Sequence, residues 1–136
     1  MGPRDRLQAA QERYVARVRR AFDGHAQGHP SRHDTPGIEV SSGSLGQGLS
    51  AGVGMALGAR LDGRAQVRVF VLLGDGESAE GAVWEAADVA SYYRLDNLCG
   101  LTDVNALGQS RATQWGHDME QFARRWRAFG WEAIVI

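Results

Sequence analysis

Apolar residues along this chain fall into blocks whose spacing switches between helical and extended. Over residues 5–22, Leu7, Ala10, Tyr14, Val18 and Ala21 recur every three or four positions, which predicts an amphipathic helix that Asp23-Gly24 ends. Arg13, Arg17, Arg19 and Arg20 lie between them and read as its solvated face. Residues 25–37 carry His25, His29, His33, Pro30, Pro36 and two glycines, a loop composition without metal-ligand spacing. A glycine-rich turn at 41–48 leads into a helix ending near residue 61, with Leu45, Leu49, Val53 and Leu57 as its apolar stripe. Glycines 46, 48, 52, 54 and 58 would each weaken that helix in isolation by about 0.5–1 kcal/mol. Close packing against a sheet or another chain is therefore expected to compensate.

Residues 67–73 form an apolar run broken only by Arg68, whose β-branched and aromatic content predicts a mostly buried strand. It stops at Gly74-Asp75-Gly76. A helix is predicted over residues 80–93, with Val83, Trp84, Ala87, Ala90 and Ser91 available for packing, and a second strand over 98–104. Beyond a loop at 111–116, His117 precedes a helix with Phe122, Trp126 and Phe129 on one face, and residues 131–136 read as a third strand. Strand, turn, helix and strand make one βαβ unit, so the fold class is α/β with a mainly parallel sheet.

Such units present ligands beyond the carboxyl ends of their strands, where Asp75 and Asn105 both fall. A carboxylate oxygen and an amide oxygen are hard donors of the kind that Mg2+ or Ca2+ selects, and Mg2+ commonly shares its sites with phosphate. Gly76, lacking a Cβ, lets its N–H approach a phosphate closely. Asp-Gly after an apolar run is also an ordinary turn; a carboxamide at the matching strand end is what lifts the pair above that reading. Asp103 is expected as a buried, hydrogen-bonded carboxylate. Glu77 and Glu80 sit where acidic side chains complement a helix N-terminus.

Gly74-Asp75-Gly76 with an asparagine thirty positions after the aspartate resembles the thiamine diphosphate motif, in the wording of transketolases. Upstream, GHPSRHDTPGIEVSSGSLGQGLSAGVGMALG is similar to the matching transketolase segment, and GDGE, EG, WEA and LDNL follow in order. The resemblance covers residues 28–136. It implies a three-layer thiamine diphosphate-binding fold with a mainly parallel sheet, here incomplete. Residues 1–27 then form an Arg-rich N-terminal helix and 28–136 a partial diphosphate-binding (PP-type) domain, with the second thiamine domain and the C-terminal domain expected to be absent. By resemblance, Asp75, Asn105 and the Leu107 carbonyl hold Mg2+ (or Ca2+) and Gly76 meets the diphosphate. Gly43, Ser44 and Leu45 line the aminopyrimidine side. His29 lies near that ring and the sugar, and Glu80 takes part in proton relay at a dimer interface.

The implied activity is two-carbon ketol transfer from a ketose to an aldose, on phosphorylated sugars. A partner chain bearing the second thiamine domain is expected to supply the catalytic Glu, within an oligomer. A truncated remnant or scaffold is an alternative, as is another thiamine enzyme such as a 2-oxo acid dehydrogenase or a deoxyxylulose phosphate synthase. GSLGQGLS with GDGE, EG and WEA speaks against the last of these.

Composition adds little. A length of 136 residues allows one domain with a real core. A net charge of −1 gives no reason to expect nucleic acid or an anionic membrane as partner. All 15 basic residues are Arg, which reads as genome composition. A single Cys99 excludes a disulfide framework and fits a reducing cytoplasm. No apolar run is long enough to span a bilayer, and MGPRDR does not begin a signal peptide.

Overall fold

The structure, a computed structural model, describes residues 29–64 and 66–136. The helix expected over residues 5–22, and with it the Arg-rich segment 1–27, lies outside the described residues. The chain divides into two units, Met1–Gly43 and Ser44–Ile136.

In the first unit, residues 29–43 are held by turns. Thr35 is buried and its N–H donates to the Ser31 carbonyl at 2.9 Å, while the Ser42 N–H reaches back to the Pro30 carbonyl at 3.1 Å. The Arg32 N–H donates to the Ser41 hydroxyl at 3.0 Å.

The second unit contains helix α1 (Gln47–Leu61), strand β1 (Val69–Gly74), a 3-10 turn (Gly76–Ala79), helix α2 (Gly81–Tyr92), strand β2 (Leu98–Asp103) and helix α3 (Met119–Ala128). β1 and β2 pair in parallel, from Val69 opposite Leu98 to Gly74 opposite Asp103. The predicted βαβ unit is therefore present, with α2 as its crossover. One core gathers Leu49, Val53 and Ala56 of α1 with Val69, Val71 and Leu73 of β1. Val83, Trp84 and Ala87 of α2 and Trp126 of α3 complete it. Buried Asn97 locks this arrangement, because its amide donates to the Ala56 carbonyl at 3.0 Å and its own backbone carbonyl accepts the Val69 N–H at 2.8 Å.

The glycines of α1 do not share one role. A Cβ on Gly52 would collide with the Val71 side chain, whereas one on Gly54 or Gly58 would meet nothing within 4 Å. Only Gly52 is thus explained by close approach of helix to strand. Gly52→Ala is expected to lose about 1–3 kcal/mol from overpacking. Gly54→Ala is expected to gain about 0.5–1 kcal/mol, because Ala loses less backbone entropy in a helix. Urea unfolding of the two variants beside the parent checks the opposite signs.

Three expectations need correction. β1 is not buried on both sides: Phe70 and Leu72 are 51% and 47% exposed, because only the Val69, Val71 and Leu73 face meets the core. A continuous apolar run reads as two-sided burial, but among the described residues the outer face has no covering layer. Asp103 is exposed rather than buried, standing at the end of β2 on the less covered side. Residues 131–136 are not a strand. The Trp131 indole N–H is instead bonded to the Ala87 carbonyl at 2.9 Å, and the Arg127 guanidinium takes the Ala133 carbonyl at 3.0 Å. The Arg127 side chain thus takes a carbonyl that a ladder there would need.

Trp84 is structural, as its spacing predicts. Its indole N–H donates to the Ser78 carbonyl at 2.8 Å, and its ring stands 5.1 Å from those of both Trp126 and Phe129. Cys99 is free, and burial pushes its thiol above the ordinary value, so at neutral pH it stays protonated and weakly nucleophilic. Among the described residues, no helix is long and apolar enough to cross a membrane.

Candidate functional site

Strand β1 delivers Asp75 to a place where backbone groups converge on its carboxylate. The Asp75 N–H extends the ladder by bonding the Asp103 carbonyl at 3.0 Å. The side chain then turns inward, leaving the residue 3% exposed. Its Oδ1 accepts the Gly76 N–H at 2.9 Å, capping the 3-10 turn. Its Oδ2 accepts the Ala106 N–H at 3.0 Å and the Thr113 hydroxyl at 2.7 Å. Three hydrogen bonds satisfy much of the demand of a buried charge.

The segment after β2 wraps around this carboxylate. Ala106 is left-handed, with φ of 62°, a conformation that costs a residue with a side chain about 1 kcal/mol or more. Its bond to Asp75 and the bond from the Thr113 N–H to the Ala106 carbonyl, 3.3 Å, hold it there. The kink lets the Asn105 Oδ1 accept the Leu107 N–H at 2.8 Å, while the Asn105 Nδ2 donates to Asp103 at 3.0 Å. Leu107 forms an antiparallel bridge with Ala112, and the Gly108 N–H bonds the Arg111 carbonyl at 3.0 Å. The Leu107 side chain is 75% exposed, but its carbonyl faces Gly76. A Cβ on Gly76 would stand 3.5 Å from that oxygen and 3.5 Å from the Thr113 methyl. A side chain there would thus pack directly against that carbonyl and methyl.

Asp75, Gly76 and the Leu107 carbonyl are thus brought together, whereas Asn105 is exposed, with its amide bonded to Asp103 and to the Leu107 N–H. A carboxylate and a backbone carbonyl are oxygen donors of the kind a hard divalent cation takes, while the Gly76 N–H is given to Asp75 Oδ1 in this structure. Among the described residues no group of three or more His, Cys, Asp or Glu gathers, so a cation here would depend on the amide and carbonyl as well as on Asp75.

Glu77 does more than cap a helix. Its half-buried carboxylate accepts the Gly46 N–H at 2.8 Å through Oε1 and the Gly74 N–H at 3.3 Å through Oε2. Gly46, buried and at φ of 88°, caps the start of α1. One carboxylate therefore ties the turn that opens α1 to the end of β1. Ser44 and Leu45 are exposed just before that cap. Glu80 is exposed at the start of α2, where its side chain makes no capping bond, and it is not among the groups bonded to Asp75 or Asn105. His29 and Gly43 belong to the first unit. His29 is exposed, and its ring lies against Gly43 where a Cβ would stand. His117 is exposed ahead of α3, its Nδ1 3.4 Å from the Val104 carbonyl, and Asp118 caps the helix instead.

Thr113 and the bridging role of Glu77 have no counterpart in the sequence reading. The Thr113 contact to Asp75 joins residues 38 apart with no motif between them. For Glu77 the signal was present, an acidic residue beside glycine turns, but its partner Gly46 lies 31 positions upstream.

Comparison with known proteins matches this chain to one family. Residues 14–136 fit the model of the transketolase thiamine diphosphate-binding domain. The chain is 45% identical over 115 residues to an apulose-4-phosphate transketolase subunit from Phocaeicola vulgatus, covering 85% of this chain and 40% of that protein. It is 45% identical over 117 residues to transketolase of Homo sapiens, covering 86% of this chain and 19% of that protein. A crystal structure of a transketolase mutant from Pichia stipitis superposes with a TM-score of 0.66 at 32% identity, over 80% of this chain and 17% of that one. The chain thus spans two fifths or less of the length of these relatives. The incomplete α/β fold and these matches together make the chain a member of the transketolase thiamine diphosphate-binding domain family.

Proposed function

We propose that this chain is the diphosphate-binding part of a transketolase completed by a partner polypeptide, catalysing two-carbon ketol transfer from a ketose to an aldose. The observation that carries the reading is the Asp75 carboxylate held at the end of β1 by the Gly76 and Ala106 N–H groups, with the Leu107 carbonyl beside Gly76, in a chain of this family. Thiamine diphosphate, when bound, supplies the carbon nucleophile and electron sink for breaking and making the ketol bond. The protein residues bind and orient it. Asp75, Asn105 and the Leu107 carbonyl hold Mg2+, Gly76 meets the diphosphate, and Gly43, Ser44 and Leu45 line the aminopyrimidine side. His29, exposed in the first unit, hydrogen-bonds a sugar hydroxyl, and Glu80, exposed at the start of α2, meets the partner. The catalytic Glu comes from that partner's thiamine domain. A relative whose name makes it one subunit of its enzyme supports a division between chains, and the apulose-4-phosphate in that name supports phosphorylated sugars as substrates. The setting proposed is the cytoplasm.

Calorimetric titration with thiamine diphosphate and Mg2+, with and without a chain bearing the second thiamine domain, tests the reading. Saturable heat with the partner present is the expected result. No heat even then would overturn it.

A further inference from the structure

The hydrogen bonds to Asp75 are distributed unevenly between its two oxygens. An ionised carboxylate offers about four lone-pair sites, two on each oxygen. Oδ2 receives two donors, the Ala106 N–H at 3.0 Å and the Thr113 hydroxyl at 2.7 Å. Oδ1 receives one, the Gly76 N–H at 2.9 Å. The remaining site is on Oδ1, the oxygen bonded to Gly76, and Gly76 is also the residue against which the Leu107 carbonyl lies. The 2.7 Å hydroxyl bond is the shortest of the three, and Thr113 is held independently by its own N–H to the Ala106 carbonyl and by its methyl against Gly76.

From this asymmetry we infer that Thr113 is a positioning residue that sets cation preference: its hydroxyl occupies Asp75 Oδ2 and leaves only Oδ1 to a cation. The inference rests on the metal site of the proposed function. A carboxylate restricted to one oxygen suits Mg2+, which requires near-octahedral geometry at about 2.0–2.1 Å. Ca2+ tolerates six to eight ligands and commonly takes both oxygens of a carboxylate. Removing the hydroxyl opens one of the two sites on Oδ2, which keeps the Ala106 N–H, and so relaxes that restriction. Ala106, which donates through its backbone, cannot be varied to the same end by changing its side chain. Thr113 is the one donor to Oδ2 that a substitution removes.

The test is calorimetric titration of the full chain, with thiamine diphosphate and the partner chain present, using MgCl2 and separately CaCl2. Thr113→Val keeps the shape and removes the hydroxyl; Thr113→Ser keeps the hydroxyl. Loss of a group that orients a metal ligand costs about 10- to 100-fold in affinity. The expected result is such a fall in Mg2+ affinity for Thr113→Val, with Ca2+ affected less, so that the Mg2+-to-Ca2+ ratio drops, and with recovery in Thr113→Ser. A merely structural role would lower both affinities equally and leave the ratio unchanged, and that result overturns the inference alone. A parent protein that binds neither cation overturns the metal site and the inference with it. Should Thr113→Val fail to fold, Thr113→Ala and Thr113→Ser compared by the same ratio decide the matter.

Discussion

Asp75→Ala protein is expected to bind thiamine diphosphate no better with Mg2+ than without it. The carboxylate supplies the only charge among the three oxygen donors, and a carbonyl and an amide alone make a weak site for a divalent ion. The same substitution also removes the acceptor for the Gly76 and Ala106 N–H groups and the Thr113 hydroxyl. Leaving such donors without a partner costs about 1–3 kcal/mol each where they stay buried, so a loss of about 3 kcal/mol in stability is expected in addition. Asp75→Asn separates the two effects. Its amide oxygen can keep part of the donor set, so it should retain most of the stability yet still lose the metal dependence. Calorimetry with and without Mg2+, beside urea unfolding of both variants, is the measurement. Metal-dependent affinity equal to the parent's in either variant would refute the role given to Asp75.

Removing the Glu77 carboxylate is the second large change. In Glu77→Ala the buried Gly46 N–H and the Gly74 N–H both lose their acceptor. Hydrogen bonds to a charged group contribute about 1.5–3 kcal/mol, and the longer Gly74 bond should contribute less, so the expected loss is about 2–3 kcal/mol. The turn at Gly46 would be freed from the end of β1. On the proposed function, this raises the KM for thiamine diphosphate more than it lowers kcat, because the groups released bind cofactor rather than move protons. Glu77→Gln keeps one acceptor oxygen and should fall between. Hydrogen exchange at Gly46 gives a readout free of activity: its amide should lose protection in Glu77→Ala, and unchanged protection would count against the tie.

The parts of this fold that depend on local pattern were legible in the sequence. The helical spacing of Val83, Ala87 and Ala90 and the turn at Gly74-Asp75-Gly76 bound α2 to within a residue of the structure. The parallel pairing of β1 with β2 follows from that crossover. What escaped depends on partners distant in sequence or on an absent layer. In Val67 to Leu73 the only sign of the solvent side is Arg68, which alternates with Phe70 and Leu72, and one polar residue in an apolar run does not outweigh the reading of burial. Residues 131–136 have strand-like composition, but Trp131 is bonded to α2 through its indole instead. The roles proposed for Asp75, Gly76, Asn105 and Leu107 were legible only as what a motif implies. Thr113 was not, because a threonine in a polar loop has no signature until the chain folds back on Asp75.

The outer face of the two strands bears on calorimetry. Apolar area already in contact with water before unfolding adds nothing to the heat-capacity increment of about 0.45 cal/K/mol per Å2 that newly exposed apolar area brings. With Phe70 and Leu72 about half in solvent, the chain by itself should have a shallower curve of stability against temperature than its length suggests. A polypeptide that covered that face would steepen the curve, and the size of the change would measure how much of it had been covered.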